Sequence, residues 1–344
     1  MRELKIAFIG FGNVAREFAR ILDSRQEYLA QTYQLSWRVV GIATNRHGSV
    51  TAASGIDLNA AVRLVENGHS LTQLENAIEI PQTNSLSDYC KPDIIFETTP
   101  LSPLDGEPAT TYIRHALERG IHVITANKGP IACAYRDLKN LAQAHDAAFR
   151  FEGTVMDGAP VFNLYEYCLN GATITGFTGV LNSTTNVILS GMEAGLTFAQ
   201  GLHEAQQLGI AEANAEYDID GWDAAVKMVA LANVLLNAGL HPRDVAPHGI
   251  RHITTEDVEK ARQRQAAIRL IGRADCTAQG IQIQVAPQEI AANTLFGSLQ
   301  GTSNALTLQT DLMGQISLLE ENPGITQTAY ALLSDFLRIG QENY

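Results

Sequence analysis

The chain has 344 residues, 45% of them hydrophobic and 18% charged, a globular composition with more length than one ordinary core uses. Its 24 basic and 37 acidic side chains leave a net charge of −13, which argues against nucleic acid and anionic membrane surfaces as partners. Cys90, Cys133, Cys168 and Cys276 are scattered, no apolar stretch approaches the ~20 residues of a bilayer span, and no signal-peptide core opens the chain, so a cytoplasmic enzyme with a small-molecule substrate is expected.

In chain order, an apolar run at 4–9 ends in glycines and leads into a helical pattern through Val14, Phe18, Ile21 and Leu22. A polar stretch at 23–34 precedes a second apolar run at 39–43. Short buried-type strands are predicted at 93–97 and 121–125, with a helix near 107–119. Strands alternating with helices predict an α/β fold with a Rossmann-type doubly wound parallel sheet. From about 148 the character changes: strands at 149–152, 172–181 and 281–287, helices at 198–208, 223–237 and 255–264, and a closing amphipathic helix at 326–339. The predicted organisation is a dinucleotide-binding domain over 1–147, with 320–344 packing back on it, and an α+β catalytic and dimerisation domain over 148–319. The apolar strand at 172–181 is a candidate contributor to a dimer sheet.

Gly10-Phe11-Gly12-Asn13-Val14-Ala15 has the form G-x-G-x-x-A. The first glycine permits a sharp turn, the second a close approach of backbone to a pyrophosphate, and the small last residue close packing of helix on strand. The helix N-terminus then offers free N–H groups to the phosphates. A strand before and a helix after give the motif its context, against the competing reading of a glycine-rich turn without a ligand. At the end of the second strand, where an NAD enzyme carries an acid for the ribose hydroxyls, this chain has Thr44, Asn45 and Arg46. Arg46 suits a 2′-phosphate, so NADP is favoured over NAD unless Arg46 is a solvated loop residue.

Residues 224–236 are apolar on nearly every face of a helix, broken by Lys227 and Asn233. A buried lysine is costly unless paired, and burial readies it for proton transfer. Asp223 lies one turn earlier to hold it, with Glu212, Asp218 and Asp220 upstream; the bland alternative is an exposed i,i+4 pair. Lys128, in Thr125-Ala126-Asn127-Lys128, follows a strand's C-terminal end, where doubly wound sheets bind ligands. No histidine–cysteine cluster, nucleophile elbow or P-loop competes with lysine as the acid/base.

Over nearly its whole length the chain resembles homoserine dehydrogenase, in a short form without a regulatory ACT-type domain. The resemblance rests on the glycine motif at 10–14, on Ala126-Asn127-Lys128, on Asn182-Ser183-Thr184, on Gly209, Glu212, Asp218, Gly221, Asp223 and Lys227 in order, and on Gly301 with Asn304-Ala305. It implies NAD(P)-dependent interconversion of L-homoserine and L-aspartate 4-semialdehyde in amino-acid biosynthesis leading to threonine and methionine, and a homodimer. Lys227 would exchange the hydroxyl proton, with Lys128 and Asp223 beside it. Glu212, Thr184, Asp218 and Ser183 would hold the substrate. Gly10, Phe11, Gly12, Asn13, Val14, Thr99, Pro100, Lys128 and Gly324 would line the cofactor. A monovalent cation such as Na+ would sit at Glu152 and the carbonyls of Val155 and Asp157. The chain departs from the family at Asn214-Ala215, where Asp-Pro is frequent, and at Tyr217. These departures keep open a sister dehydrogenase for another small amino alcohol or hydroxy acid. A cofactor-binding regulator without catalysis would lack the lysine or the acids that this chain keeps.

Overall fold

The computed structural model describes residues 2–102, 105–211 and 214–342, which form two compact units. Unit 1 comprises residues 1–158 and 325–344, and unit 2 residues 159–324.

Unit 1 is built on β1 (Arg2–Ile9), a strand buried on both faces. Leu4, Ile6 and Phe8 point to one side, Ala7 and Ile9 to the other, as a continuous apolar run in a parallel sheet requires. Helices α1 (Asn13–Ser24) and α2 (Gln26–Tyr33) lead to β2 (Leu35–Ala43), which lies parallel to β1. The polar stretch at 23–34 therefore contains a helix, anchored by buried Leu29 and ended by Gln34 in the left-handed conformation at φ 52°. Strand β3 (Ser49–Thr51) runs antiparallel to β2, followed by α3 (Leu58–Glu66), β4 (Ile78–Glu79) and α4 (Leu86–Cys90). Next come β5 (Ile94–Glu97), α5 (Ala109–Leu117), β6 (His122–Thr125), α6 (Lys128–Ala144) and β7 (Phe149–Arg150).

The sheet order is β4-β3-β2-β1-β5-β6-β7, with β1, β2, β5, β6 and β7 mutually parallel. The chain leaves β1 toward β2 and later returns to β1's other side with β5, so the strand order reverses at the C-terminal ends of β1 and β5, where such sheets bind ligands. The C-terminal helix, Ile325–Glu342, joins one face of this sheet through Leu332, Phe336 and Ile339. Unit 1 extends to Gly158, beyond the expected boundary at 147. The extension follows because β7 pairs with β6, the Glu152 N–H donates to Asp335 of the C-terminal helix (2.9 Å), and Thr328 donates to Asp157 (2.8 Å). The strand expected at 149–152 stops at Arg150, and Glu152–Thr154 is a 3-10 turn.

Unit 2 opens with the short helix α7 (Val161–Asn163), then β8 (Ile174–Val180), α8 (Ser183–Glu193) and α9 (Phe198–Gln207). Helices α10 (Glu216–Ile219), α11 (Trp222–Leu235) and α12 (Thr255–Gln263) precede the long hairpin β9 (Ala266–Thr277) and β10 (Gly280–Ala291), then β11 (Asn304–Thr310) and β12 (Gln315–Glu320). The order is β10-β9-β8-β11-β12, and every pairing is antiparallel. Helix α11 packs closely on β9: a Cβ on Gly272 would lie 2.5 Å from the Met228 sulfur. Strand β8, expected at 172–181, is the central strand, and β9 and β11 occupy both its edges. It therefore has no edge to lend to a partner's sheet. No described helix is long and apolar enough to cross a membrane.

Candidate active site

In unit 1 the glycine turn follows β1. Gly10 sits at φ 86°, donates its N–H to the Ala43 carbonyl (2.9 Å), and passes so close to β5 that a Cβ would lie 2.7 Å from the Thr98 carbonyl carbon and oxygen. Gly12 is the exposed N-cap of α1, with open space where a Cβ would be. The first-turn amides of α1 have no acceptor within the helix, so this cradle fits a pyrophosphate. Ala15 is fully buried, as a helix packed tightly on a strand demands. Asn13 is exposed and Val14 half-buried at the mouth. The Phe11 side chain turns inward onto Phe8 (5.4 Å between centroids), which leaves only its backbone to a cofactor.

Past β2, Thr44 forms a tight turn, donating to the Gly48 carbonyl (2.9 Å) and accepting from the His47 N–H (2.8 Å). A cavity of about 470 Å³ opens there, lined by Thr44, Asn45, Ser49, Glu79, Gln82 and Tyr112 among others. Arg46 is exposed beside this cavity and does not line it, whereas Glu79 of β4 does.

At the ends of β5 and β6 the structure joins the expected Thr99, Pro100 and Lys128 to Glu97, Thr125 and Asn127, which were not assigned a role from sequence. Glu97, the last residue of β5, is fully buried. It accepts from the Thr99 N–H (2.8 Å), the Thr99 hydroxyl and the Thr125 hydroxyl (2.7 Å). Thr125 in turn accepts from the Asn127 N–H (2.9 Å). The Asn127 side-chain amide donates to the carbonyls of Thr99 (3.1 Å) and Pro100 (3.3 Å), while its oxygen caps α6 at Gly129 (3.0 Å). Lys128 is thus the first residue of a capped helix, beside the Thr99-Pro100 loop. Burial pushes the Glu97 carboxyl above the usual range, and the threonine and asparagine donors pull it back.

The candidate cation residues also lie in unit 1. Glu152 is buried, Val155 is buried, and Asp157 adopts the left-handed conformation at φ 40°.

Unit 2 holds the lysine. Lys227 projects from α11, all of whose other residues but Trp222 are buried. Its ammonium nitrogen donates to the Leu181 carbonyl (2.6 Å) and lies 3.6 Å from an oxygen of Asp223 one turn earlier, the pairing that the spacing anticipates. The Asn182 amide bridges two carboxylates, donating to Asp218 (2.7 Å) and Asp223 (2.9 Å), and its oxygen caps α8 through the Thr185 N–H (2.8 Å). Thr184 donates to the other oxygen of Asp218 (3.3 Å). Burial, then the charge of Asp223, raise Asp218 above the ordinary carboxylate range, opposed by Asn182, Lys227 and Thr184. Gly221, at φ 84° before α11, makes the turn that sets Asp218 and Asp223 on neighbouring helices.

Not every expected residue joins this group. Ser183 donates instead to the Thr302 carbonyl (3.1 Å), tying α8 to the turn at 301–304. Asp220 is held at the surface by Arg251 (2.9 Å). Gly324 is exposed at the end of unit 2, and Glu212 lies outside the described residues. Asn182 was visible in the sequence only as part of a turn, yet an Asn before Ser-Thr-Thr at a helix start is a readable N-cap. What the arrangement provides is a half-buried primary amine between a carbonyl and a carboxylate, able to take or return a proton.

Comparison with known proteins agrees in both units. Residues 10–152 match the family model described as homoserine dehydrogenase, NAD binding domain, and residues 160–337 match the one described as homoserine dehydrogenase. The chain is 40% identical over 342 residues to the NAD(+)-dependent homoserine dehydrogenase of Pseudomonas canavaninivorans, covering 99% of this chain and 97% of that protein. It is 34% identical to the homoserine dehydrogenase of Methanocaldococcus jannaschii, covering 98% of each. The solved structure of a hyperthermophilic archaeal homoserine dehydrogenase in complex with NADPH superposes with a TM-score of 0.83 at 26% identity, over 100% of this chain and 99% of that one. With a glycine cradle at the head of one unit and a carboxylate-held lysine in the other, the chain belongs to the homoserine dehydrogenase family, NAD(P)-dependent oxidoreductases acting on a CH–OH group.

Proposed function

We propose that the protein interconverts L-homoserine and L-aspartate 4-semialdehyde, with Lys227 as general acid/base. The observation that carries the reading is the Lys227 amine, held 2.6 Å from the Leu181 carbonyl and 3.6 Å from Asp223 on a helix whose other residues except Trp222 are buried. Bound NAD(P)+ would supply the acceptor for the C4 hydride in the oxidative direction, while the hydroxyl proton would pass to the neutral Lys227 amine. In reverse, the Lys227 ammonium returns that proton to the aldehyde oxygen. Asp223 orients the amine and steadies its charged form. Asp218 and Thr184 shape the place for the amino acid, with Glu212 assigned to its ammonium by family resemblance. Gly10, Gly12 and the amides of Asn13 and Val14 hold the pyrophosphate; Thr99, Pro100 and Lys128 border the nicotinamide half, and Gly324 borders the cofactor by resemblance.

NADP(H) is favoured because Arg46 follows β2 where no acid stands. The NAD(+)-dependent relative argues the other way, as does Glu79, an acid in the neighbouring cavity that would oppose a 2′-phosphate. The reading includes a homodimer in the cytoplasm, serving threonine and methionine biosynthesis, and a monovalent cation bound by Glu152 and the carbonyls near Val155 and Asp157. The buried Glu152 carboxyl and the left-handed backbone at Asp157 suit such an ion.

The test is initial rates with L-homoserine and either NADP+ or NAD+, for wild type and Arg46→Ala. Turnover on homoserine is expected, with the NADP+/NAD+ preference of Arg46→Ala falling severalfold, to about tenfold. A protein that binds reduced cofactor but leaves homoserine untouched would instead be a dehydrogenase of another small amino alcohol, the reading that Asn214, Ala215 and Tyr217 favour. An unchanged preference would make Arg46 a solvated loop residue.

A further inference from the structure

We propose that Glu97 is a positioning residue for the nicotinamide half of the cofactor, acting through the two loops its carboxyl ties together. The inference rests on the dinucleotide-binding reading of unit 1, and four observations carry it. Glu97 is fully buried, and among the described residues no lysine, arginine or histidine forms an ion pair with it. A buried carboxyl balanced only by hydrogen-bond donors is costly, and packing alone would favour an apolar residue such as its neighbours Ile94, Ile95 and Phe96. Next, its donors come from two separate connections: Thr99 after β5 and Thr125 at the end of β6. Third, Asn127 closes the circuit, receiving its alignment from Thr125 and fastening the carbonyls of Thr99 and Pro100. Finally, the network sits on the β5–β6 side of the strand-order reversal, while the cavity at Thr44 and Asn45 sits on the β2 side. A dinucleotide laid across the glycine turn with its adenosine toward β2 has its nicotinamide over β5 and β6.

Glu97 touches neither cofactor nor substrate in this scheme. It sets the height and direction of the Thr99-Pro100 backbone and the start of α6, where Lys128 stands. A glutamine has nearly the same shape but no charge, and with its oxygen kept on the Thr99 donors its amide must donate to the Thr125 hydroxyl, which reverses that hydrogen bond and takes the hydroxyl proton's acceptor away.

The experiment compares wild type with Glu97→Gln in the full chain. It measures binding of NADH and NADPH by fluorescence titration without substrate, then KM for cofactor and for L-homoserine separately, and the melting temperature. Expected is a cofactor Kd and KM raised about tenfold, with KM for homoserine at saturating cofactor within twofold of wild type. A lower melting temperature with unchanged cofactor Kd and KM would make Glu97 a purely structural group and overturn the proposal. Should Glu97→Gln fail to fold, Thr125→Val removes one tie at nearly constant volume, and it too must weaken cofactor binding, by about threefold or more, or the proposal fails. Binding of NADH or NADPH by wild type without turnover on homoserine would sink the substrate assignment and leave this inference standing. Wild type that binds neither cofactor would sink both.

Discussion

Each unit buries carboxylates at its functional end, and the two centres are built differently. Glu97 in unit 1 is surrounded by hydroxyl and amide donors, whereas Asp218 and Asp223 in unit 2 share one asparagine amide and lie beside a lysine. A centre made only of neutral donors has one preferred arrangement and no mobile proton partner, which suits holding backbone in place. The second centre mixes two acids, a base and a single bridging amide, so a proton can move within it and each group's ionisation depends on the others. In the proposed reading, the contrast separates the tasks of binding a cofactor and exchanging a proton with an alcohol.

The strongest way to break the comparison is at Lys227. Replacing it by alanine removes the lysine that pairs with Asp223 one turn away. Turnover on homoserine is expected to fall by about a hundredfold or more, the usual cost of losing a general acid/base. Cofactor affinity should stay near wild type, because the pyrophosphate cradle is confined to the other unit. Loss of cofactor binding and turnover together, in a folded protein, would mean that the two centres are not separable.

Gly10→Ala tests the other side. The residue sits at φ 86°, and a Cβ would press on the Thr98 backbone at 2.7 Å, where no side chain can swing away. Strain and the displaced strand end together should cost about 1–3 kcal/mol of stability. Thermal melting with and without NADPH checks this: the variant should melt lower and gain less from the cofactor. A variant as stable and as cofactor-responsive as wild type would remove the argument for a tight turn at this position.

How much of this was legible differs between the units for physical reasons. The glycine turn could be read because a pyrophosphate site is made of backbone, and only glycine and small residues permit it. Lys227 could be read because a charged residue in an otherwise apolar helix stands out. Glu97 could not, since one acid at the end of an apolar run looks like a strand meeting solvent, and its partners Thr99, Thr125 and Asn127 are brought to it only by the parallel pairing of β5 with β6. Helix α2 was hidden in a polar stretch because a single buried residue, Leu29, docks it. The antiparallel sheet of unit 2 was seen only in part: β9, β11 and β12 carry no local motif, and β8 became central through pairings more than 80 residues away in sequence, such as Phe177 with Ala274.

The smallest effect, and the sharpest on how the second centre is charged, is at Asp218. Its folded-state carboxyl lies above the ordinary value of 3.8, first because it is buried and then because Asp223 is near. The folded protein therefore holds this proton more tightly than the unfolded chain. Asp218 favours folding below about pH 4, and that contribution is lost as the pH rises through its folded value. Asparagine at this position stays neutral throughout. The melting temperature of Asp218→Asn relative to wild type should rise as pH increases from about 4 and then level off, by on the order of a degree or two. Any cost of turning the new amide to face Asn182 is the same at every pH and drops out of the trend. A difference that stays flat with pH, or falls, would mean that Asp218 carries its charge without penalty, and that the lysine rather than burial governs the acids around it.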